Sequence, residues 1–174
     1  MKSVFFLLSF IVFNSITAQQ WVTPVVEGYG EIQYFKEAQE QPHADQDYKI
    51  IFDITSDAQK NGVNKGLWKV ARMLNMFGVV HQPKDKIHLA VALHGEASYV
   101  VLSEKNYQAR FNKPNPNLDL IQKLKENGVE LYVCSQAIAT RKISHHDLNP
   151  AIVPALSAMS VLANYQIKGY HIMP

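Results

Sequence analysis

Residues 117–142, NLDLIQKLKENGVELYVCSQAIATRK, decide the fold. Leu118, Ile121 and Leu124 recur at helical spacing and share one face, and Gly128 supplies a C-terminal stop. VELYVCS (129–135) then changes to an apolar, β-branched run, the composition of a buried strand. QAIATRKI (136–143) returns to a short helix. Helix, strand and helix joined this tightly are the repeating unit of an α/β sheet.

Working outward, the same alternation continues. YKIIFDIT (48–55) reads as a first strand. NGVNKGLWKVARMLNMFGVVH (61–81) carries Val63, Leu67, Val70, Leu74 and Phe77 at helical spacing, with Gly78 as its stop. KIHLAVALH (86–94) is a second strand. GEASYVVLS (95–103) is a helix start or tight turn, and EKNYQARFNKPNPN (104–117) is a loop holding two prolines. VELYVCS is the third strand. AIVPAL (151–156) is a fourth, interrupted by Pro154 and so expected at an edge. SAMSVLANYQIKG (157–169) is a helix capped by Ser157, and YHIMP (170–174) is a last strand. The expectation is a three-layer α/β/α sandwich with a mainly parallel sheet of about five strands.

The amino terminus follows other rules. MKSVFFLLSFIVFNSITAQQ has a basic start at Lys2, an apolar run from Val4 to Phe13 and small residues ending at Ala18. This is the layout of a cleaved signal peptide over 1–18, and it places the mature protein in the periplasm or outside the cell. Residues 19–47 are punctuated by Pro24, Gly28, Gly30 and Pro42 and read as an arm or linker, within which EIQYFKEA (31–38) could form a short helix. The α/β domain then spans 48–174. Cleavage leaves no membrane anchor. The whole chain has 17 basic and 15 acidic residues, and removing 1–18 takes away only Lys2. A nearly neutral domain gives no electrostatic reason to expect nucleic acid.

In open α/β sheets, ligands bind beyond the carboxyl ends of the strands. This chain places Asp53, Thr55, Ser56 and Asp57 after strand one, His94, Gly95 and Glu96 after strand two, Cys134, Ser135 and Gln136 after strand three, and Ser157 and Ser160 after strand four. Cys134 is the single cysteine. It stands directly before a helix start, where backbone N–H groups favour a thiolate. The opposing reading is a small buried apolar residue, as free cysteines often are. His94 either holds a ligand or thiolate or serves the turn, and Glu96 fits a helix first turn. Arg141 lies about two helical turns beyond the sulfur. SHHDLNP (144–150) is read as a solvated loop, and its His145, His146 and Asp147 are not taken as a metal site. No metal and no organic cofactor is expected.

VALHG (91–95), NGVELYVCSQA (127–137) and YQIKGY (165–170), in this order and spacing, resemble the DsrE/DsrF-like family, related to the TusD-type sulfur-relay subunits. The resemblance runs from about Tyr48 to the end. It implies a small α/β protein that assembles as a homo-oligomer, a trimer or hexamer. It also implies a cysteine, here Cys134, that accepts sulfur as a persulfide and passes it to a thiol on a protein partner. His94, Gly95, Ser135 and Gln136 are the candidate binding residues around it. Two departures stand out: Arg141 is followed by Lys142 where relay members often have glycine, and the better-known relays are cytoplasmic. The alternative function is a non-catalytic oligomeric ligand-binding or scaffold module in which Cys134 is inert.

Overall fold

The computed structural model describes residues 20–174, so the export signal expected at 1–18 lies outside the described residues. In chain order the elements are β1 (Tyr48–Ile54), the hairpin strands β2 (Gln59–Lys60) and β3 (Val63–Asn64), α1 (Lys65–Val79) and β4 (Ile87–Leu93). They continue with α2 (Glu104–Phe111), α3 (Leu118–Glu126), β5 (Glu130–Cys134), α4 (Ser135–Thr140), β6 (Val153–Ala155), α5 (Ala158–Ile167) and β7 (His171–Met173). One five-stranded sheet has the order β6-β5-β4-β1-β7, and every pairing in it is parallel. This is the α/β sandwich that the alternation of elements predicts.

The period of two along each strand sorts side chains between the faces. Ile50, Phe52 and Ile54 of β1, Leu89, Val91 and Leu93 of β4, and Leu131 and Val133 of β5 build the larger core with α1 and α3. The other face carries Ile51, Ala90, Ala92 and Cys134 and receives Ala158, Val161 and Tyr165 of α5. Alanines on the strands and at the start of α5 let that helix lie close. The Tyr165 hydroxyl donates to the Tyr132 hydroxyl at 3.0 Å, which donates to Glu130 Oε2 at 2.9 Å. Burial, then the Tyr132 hydrogen bond and Glu130, hold the Tyr165 phenol protonated far beyond its ordinary range.

Three buried asparagines organise the helix starts. Asn64 caps α1 by accepting from Gly66 N at 2.9 Å and Leu67 N at 3.1 Å, a cap that contributes about 1 kcal/mol. Asn117 Oδ1 accepts from Asn64 N at 2.7 Å, and Asn115 Oδ1 accepts from both nitrogens of Asn117 at 3.0 Å. The Asn115 amide then donates to Val100 O and Leu102 O. Asn115 and Asn117 of the loop NKPNPN thereby form a buried polar joint between α1, α3 and the 3-10 turn at Gly95–Val101.

Several local expectations are corrected. Gly78 does not stop α1: it lies inside the helix, and the chain turns only at His81, with φ 55°. A Cβ at Gly78 would meet Val25 Cγ2 at 2.5 Å, so the glycine makes room for the amino-terminal arm. Residues 104–111 form α2 rather than a loop. Only Tyr107 of that helix is buried, which is why its sequence shows no apolar stripe. Val63, expected on the helix, lies instead in the hairpin β2–β3, whose turn is held by Asn61 and Gly62 at positive φ, and α1 begins only at Lys65. Residues 31–38 are not helical.

The arm packs on the outer surface of α1. Val26 is fully buried. Asn75, inside α1, accepts from Val25 N and Val26 N at 2.9 Å and donates to Tyr29 O at 2.8 Å and Gly30 O at 2.9 Å. Gly30, at φ 63°, lies so close to α1 that a Cβ would meet Arg72 N. Lys123 of α3 donates to Glu27 O at 3.1 Å and to Asp119 at 2.9 Å, while Tyr29 bonds the same Asp119 carboxylate. The Lys123 hydrogen bond is the main reason that Asp119 is held below its usual carboxylate range.

Candidate functional site

Asp53, His94 and Cys134 stand at the carboxyl ends of three neighbouring strands. In the parallel register Asp53 pairs with Ala92, Leu93 pairs with Val133, and Cys134 closes β5. Alternation puts all three on the α5 face, because Ile51, Ala90 and Ala92 point there. Adjacent strands are about 4.8 Å apart, so the imidazole occupies the lane between the carboxylate and the thiol. His94 Nε2 lies 2.6 Å from Asp53 Oδ1, with both side chains about two-thirds buried. That contact orients the ring and leaves Nδ1 as its second nitrogen.

Cys134 is 7% exposed and ends β5 at the entry to α4. Burial works against a thiolate here. The N–H groups of Ala158, Ala137 and Gln136 and the Ser157 hydroxyl work for it, and together they pull the thiol below its ordinary range. Gln136 and Ala137 belong to the first turn of α4, and Ala158 opens α5. Two helix starts converge because β6 lies beside β5, which brings Ser157 and α5 over the end of the strand. Ser157 itself accepts from Met159 N at 3.2 Å and so holds the start of α5 in place.

The sulfur opens into a cleft of about 430 Å³ lined by His94, Gln136, Ala137, Ser157 and Leu162 among others. Of the residues singled out from sequence, Cys134, His94 and Gln136 therefore share one cavity. Gly95 and Ser135 do not line it. Gly95 turns the chain at φ 56°, with Thr55 O 2.8 Å from the position of a Cβ. The Ser135 hydroxyl lies 3.1 Å from His145 Nε2 and so faces the 3-10 turn at His145–Asp147. Glu96 pairs with Arg141 at 2.6 Å. The Arg141 guanidinium, which also lies over the Tyr99 ring at 5.6 Å, is thus committed away from the sulfur. Asp53 and Ser157 appeared among the strand-end residues in the sequence. Their roles, orienting His94 and facing the sulfur, come from strand order. A larger cavity of about 530 Å³ lies at the opposite ends of the strands, between Pro24, Gly78 and Ile87, and offers no thiol or hydroxyl.

A parallel α/β sheet with a thiol held at its carboxyl edge by two helix starts defines a class of small α/β proteins with a strand-end cysteine. The chain belongs to the DsrE/DsrF-like family, whose profile matches residues 37–174. No curated protein matches it in sequence. Among solved structures it is similar to the protein of unknown function MTH1491 from Methanobacterium thermoautotrophicum, at 15% identity and a TM-score of 0.50, covering 73% of this chain and 98% of that one. It is also similar to the ychN protein from E. coli, at 16% identity and a TM-score of 0.49, covering 72% of this chain and 99% of that one. At these identities the likeness concerns the fold alone.

Proposed function

We propose that the protein handles sulfur, accepting it as a persulfide on Cys134 and passing it to a thiol of a protein partner. One observation carries this reading: the only cysteine in the chain lines a cleft where backbone N–H groups and the Ser157 hydroxyl outweigh burial and lower its pKa. In the loading step the Cys134 thiolate attacks the terminal sulfur of a polysulfide. A new S–S bond forms, one S–S bond of the donor breaks, and the shortened polysulfide leaves with the electron pair. In the transfer step an acceptor thiolate attacks the outer sulfur and releases the Cys134 thiolate. Neither step needs a metal, an organic cofactor or an external oxidant. His94, oriented by Asp53, is the group placed to exchange a proton with the arriving or departing thiol. The assay is cyanide-labile sulfur on polysulfide-treated protein: the reading predicts it in wild type and not in Cys134→Ser.

Self-association is part of the proposal. Leu156, Met159 and Ile167 are 74%, 77% and 85% exposed along one side of α5 and its approach. Met159 is also on the rim of the Cys134 cleft, so a second subunit on this face would border the thiol. A trimer or hexamer of the mature chain, exported to the periplasm or beyond, is the assembly proposed.

The near-complete burial of Cys134 favours the second reading, an oligomeric binding or scaffold module with an inert thiol. Slow alkylation of Cys134 in the native protein, at a rate that rises only on unfolding, would select that reading.

A further inference from the structure

The first two turns of α1 carry their charges in the unfavourable sense. A helix amino terminus favours acids, yet α1 has none in its first turn and begins with Lys65. Lys69 and Arg72 follow on the same side, and Lys60 reaches in from the hairpin. These four cations and Gln59 surround Trp68 in a cleft of about 540 Å³. Among the described residues none of the four is ion-paired with a carboxylate side chain. Lys69 reaches only Pro174 O, at 3.3 Å. The nearby Glu31 uses its carboxylate on Asn61 and its carbonyl on Arg72.

Two features suit the cleft to a ligand rather than to bulk water. Arg72 is fixed in advance: Nε donates to Glu31 O at 3.0 Å, and the guanidinium lies 4.2 Å over the Trp68 ring and 5.6 Å over that of Trp21. Among the described residues its terminal nitrogens have no hydrogen-bond partner, which leaves a planar fork of donors for a ligand. Trp68 is 5% exposed, and its buried indole N–H has no hydrogen-bond partner among the described residues. A buried donor without an acceptor is an unmet demand for one.

We propose that this cleft binds a tetrahedral oxyanion of the phosphate or sulfate class, either as the free ion or as the head of an ester. The Arg72 fork and the Lys60, Lys65 and Lys69 ammonium groups supply the positive charge. The Trp68 ring lines the cleft, so an anion held there alters the surroundings of its indole. The site is separate from the thiol and does not depend on the sulfur reading.

The experiment is a titration of uniformly 15N-labelled protein with sodium phosphate, sodium sulfate and phenyl phosphate, holding ionic strength constant with sodium chloride. The chain has two tryptophans, so Trp21→Phe assigns the Trp68 indole signal. A saturable shift of that signal, with a midpoint of about a millimolar or tighter, is expected for at least one of the three anions. It should weaken by about tenfold or more in Lys65→Gln/Lys69→Gln and in Arg72→Lys, which keeps the charge and loses the fork. The backbone spectrum of each variant reports whether it is folded, and Cys134→Ser should bind as wild type does. Tighter binding of phenyl phosphate than of phosphate assigns an ester; the reverse assigns the free ion. A shift that never saturates, one that chloride reproduces, or an unchanged midpoint in folded variants overturns the proposal.

Discussion

His94 Nε2 lies 2.6 Å from Asp53 Oδ1, across the β4–β1 pairing and beside the strand that ends in Cys134. The contact fixes an otherwise free imidazole in the thiol's cleft. His94→Gln should slow sulfur transfer from loaded Cys134 to an acceptor thiol about tenfold or more, with loading still at one sulfur per chain. Asp53→Asn keeps the ring but loosens the contact that orients it and should give an intermediate loss. Stopped-flow transfer at one fixed pH checks both. Equal rates in all three proteins would remove His94 from the chemistry.

Cys134 should react as a thiol of lowered pKa. Iodoacetamide rates against pH should give a midpoint below that of free cysteine, and Ser157→Ala should raise it toward that value. The sign of the stability effect follows. Below the folded-state pKa both native and unfolded thiols are protonated, and the group contributes nothing. Between that value and the higher unfolded value the native chain binds fewer protons, so unfolding free energy rises with pH. Above the unfolded value the gain is complete. Urea unfolding of wild type relative to Cys134→Ser should therefore diverge as pH rises through this window, in favour of wild type.

The arm should depend on Asn75. Asn75→Ala leaves Val25 N, Val26 N, Tyr29 O and Gly30 O without their partner, at a cost of about 2–4 kcal/mol. The midpoint of urea unfolding should fall accordingly, and residues 21–32 should become sensitive to limited proteolysis. An arm that stays protected in the variant would show that Val26 and Lys123 hold it unaided.

The exposed face of α5 should be an interface. Met159→Glu with Ile167→Glu changes two side chains that are 77% and 85% exposed and touches no core contact. By light scattering, wild type should exceed the monomer mass and the double variant should fall to it, with an unchanged circular dichroism spectrum. A monomeric wild type at micromolar concentration would contradict the assembly.

Much of this was legible in the sequence, and the gaps have physical causes. α1 and α3 announce themselves by helical period, β1, β4 and β5 by apolar runs, and α5 by its Ser157 cap. α2 does not, because it buries little beyond Tyr107. Asn75 looks like a solvent-facing residue until the arm covers it. Cys134 could be placed at a strand end from the order of elements alone. The influence of Ser157 and Ala158 on its sulfur could not, since it depends on β6 lying beside β5. The same holds for Asp53, whose partner is chosen by the β1–β4 register.

The central claim is that Cys134 carries sulfur. Intact-mass analysis of the folded protein after polysulfide treatment and desalting tests it most directly. The account predicts the gain of one sulfur atom per wild-type chain, removed by a reducing thiol, and no gain in Cys134→Ser. Equal gain in both proteins, or none in either, would contradict it.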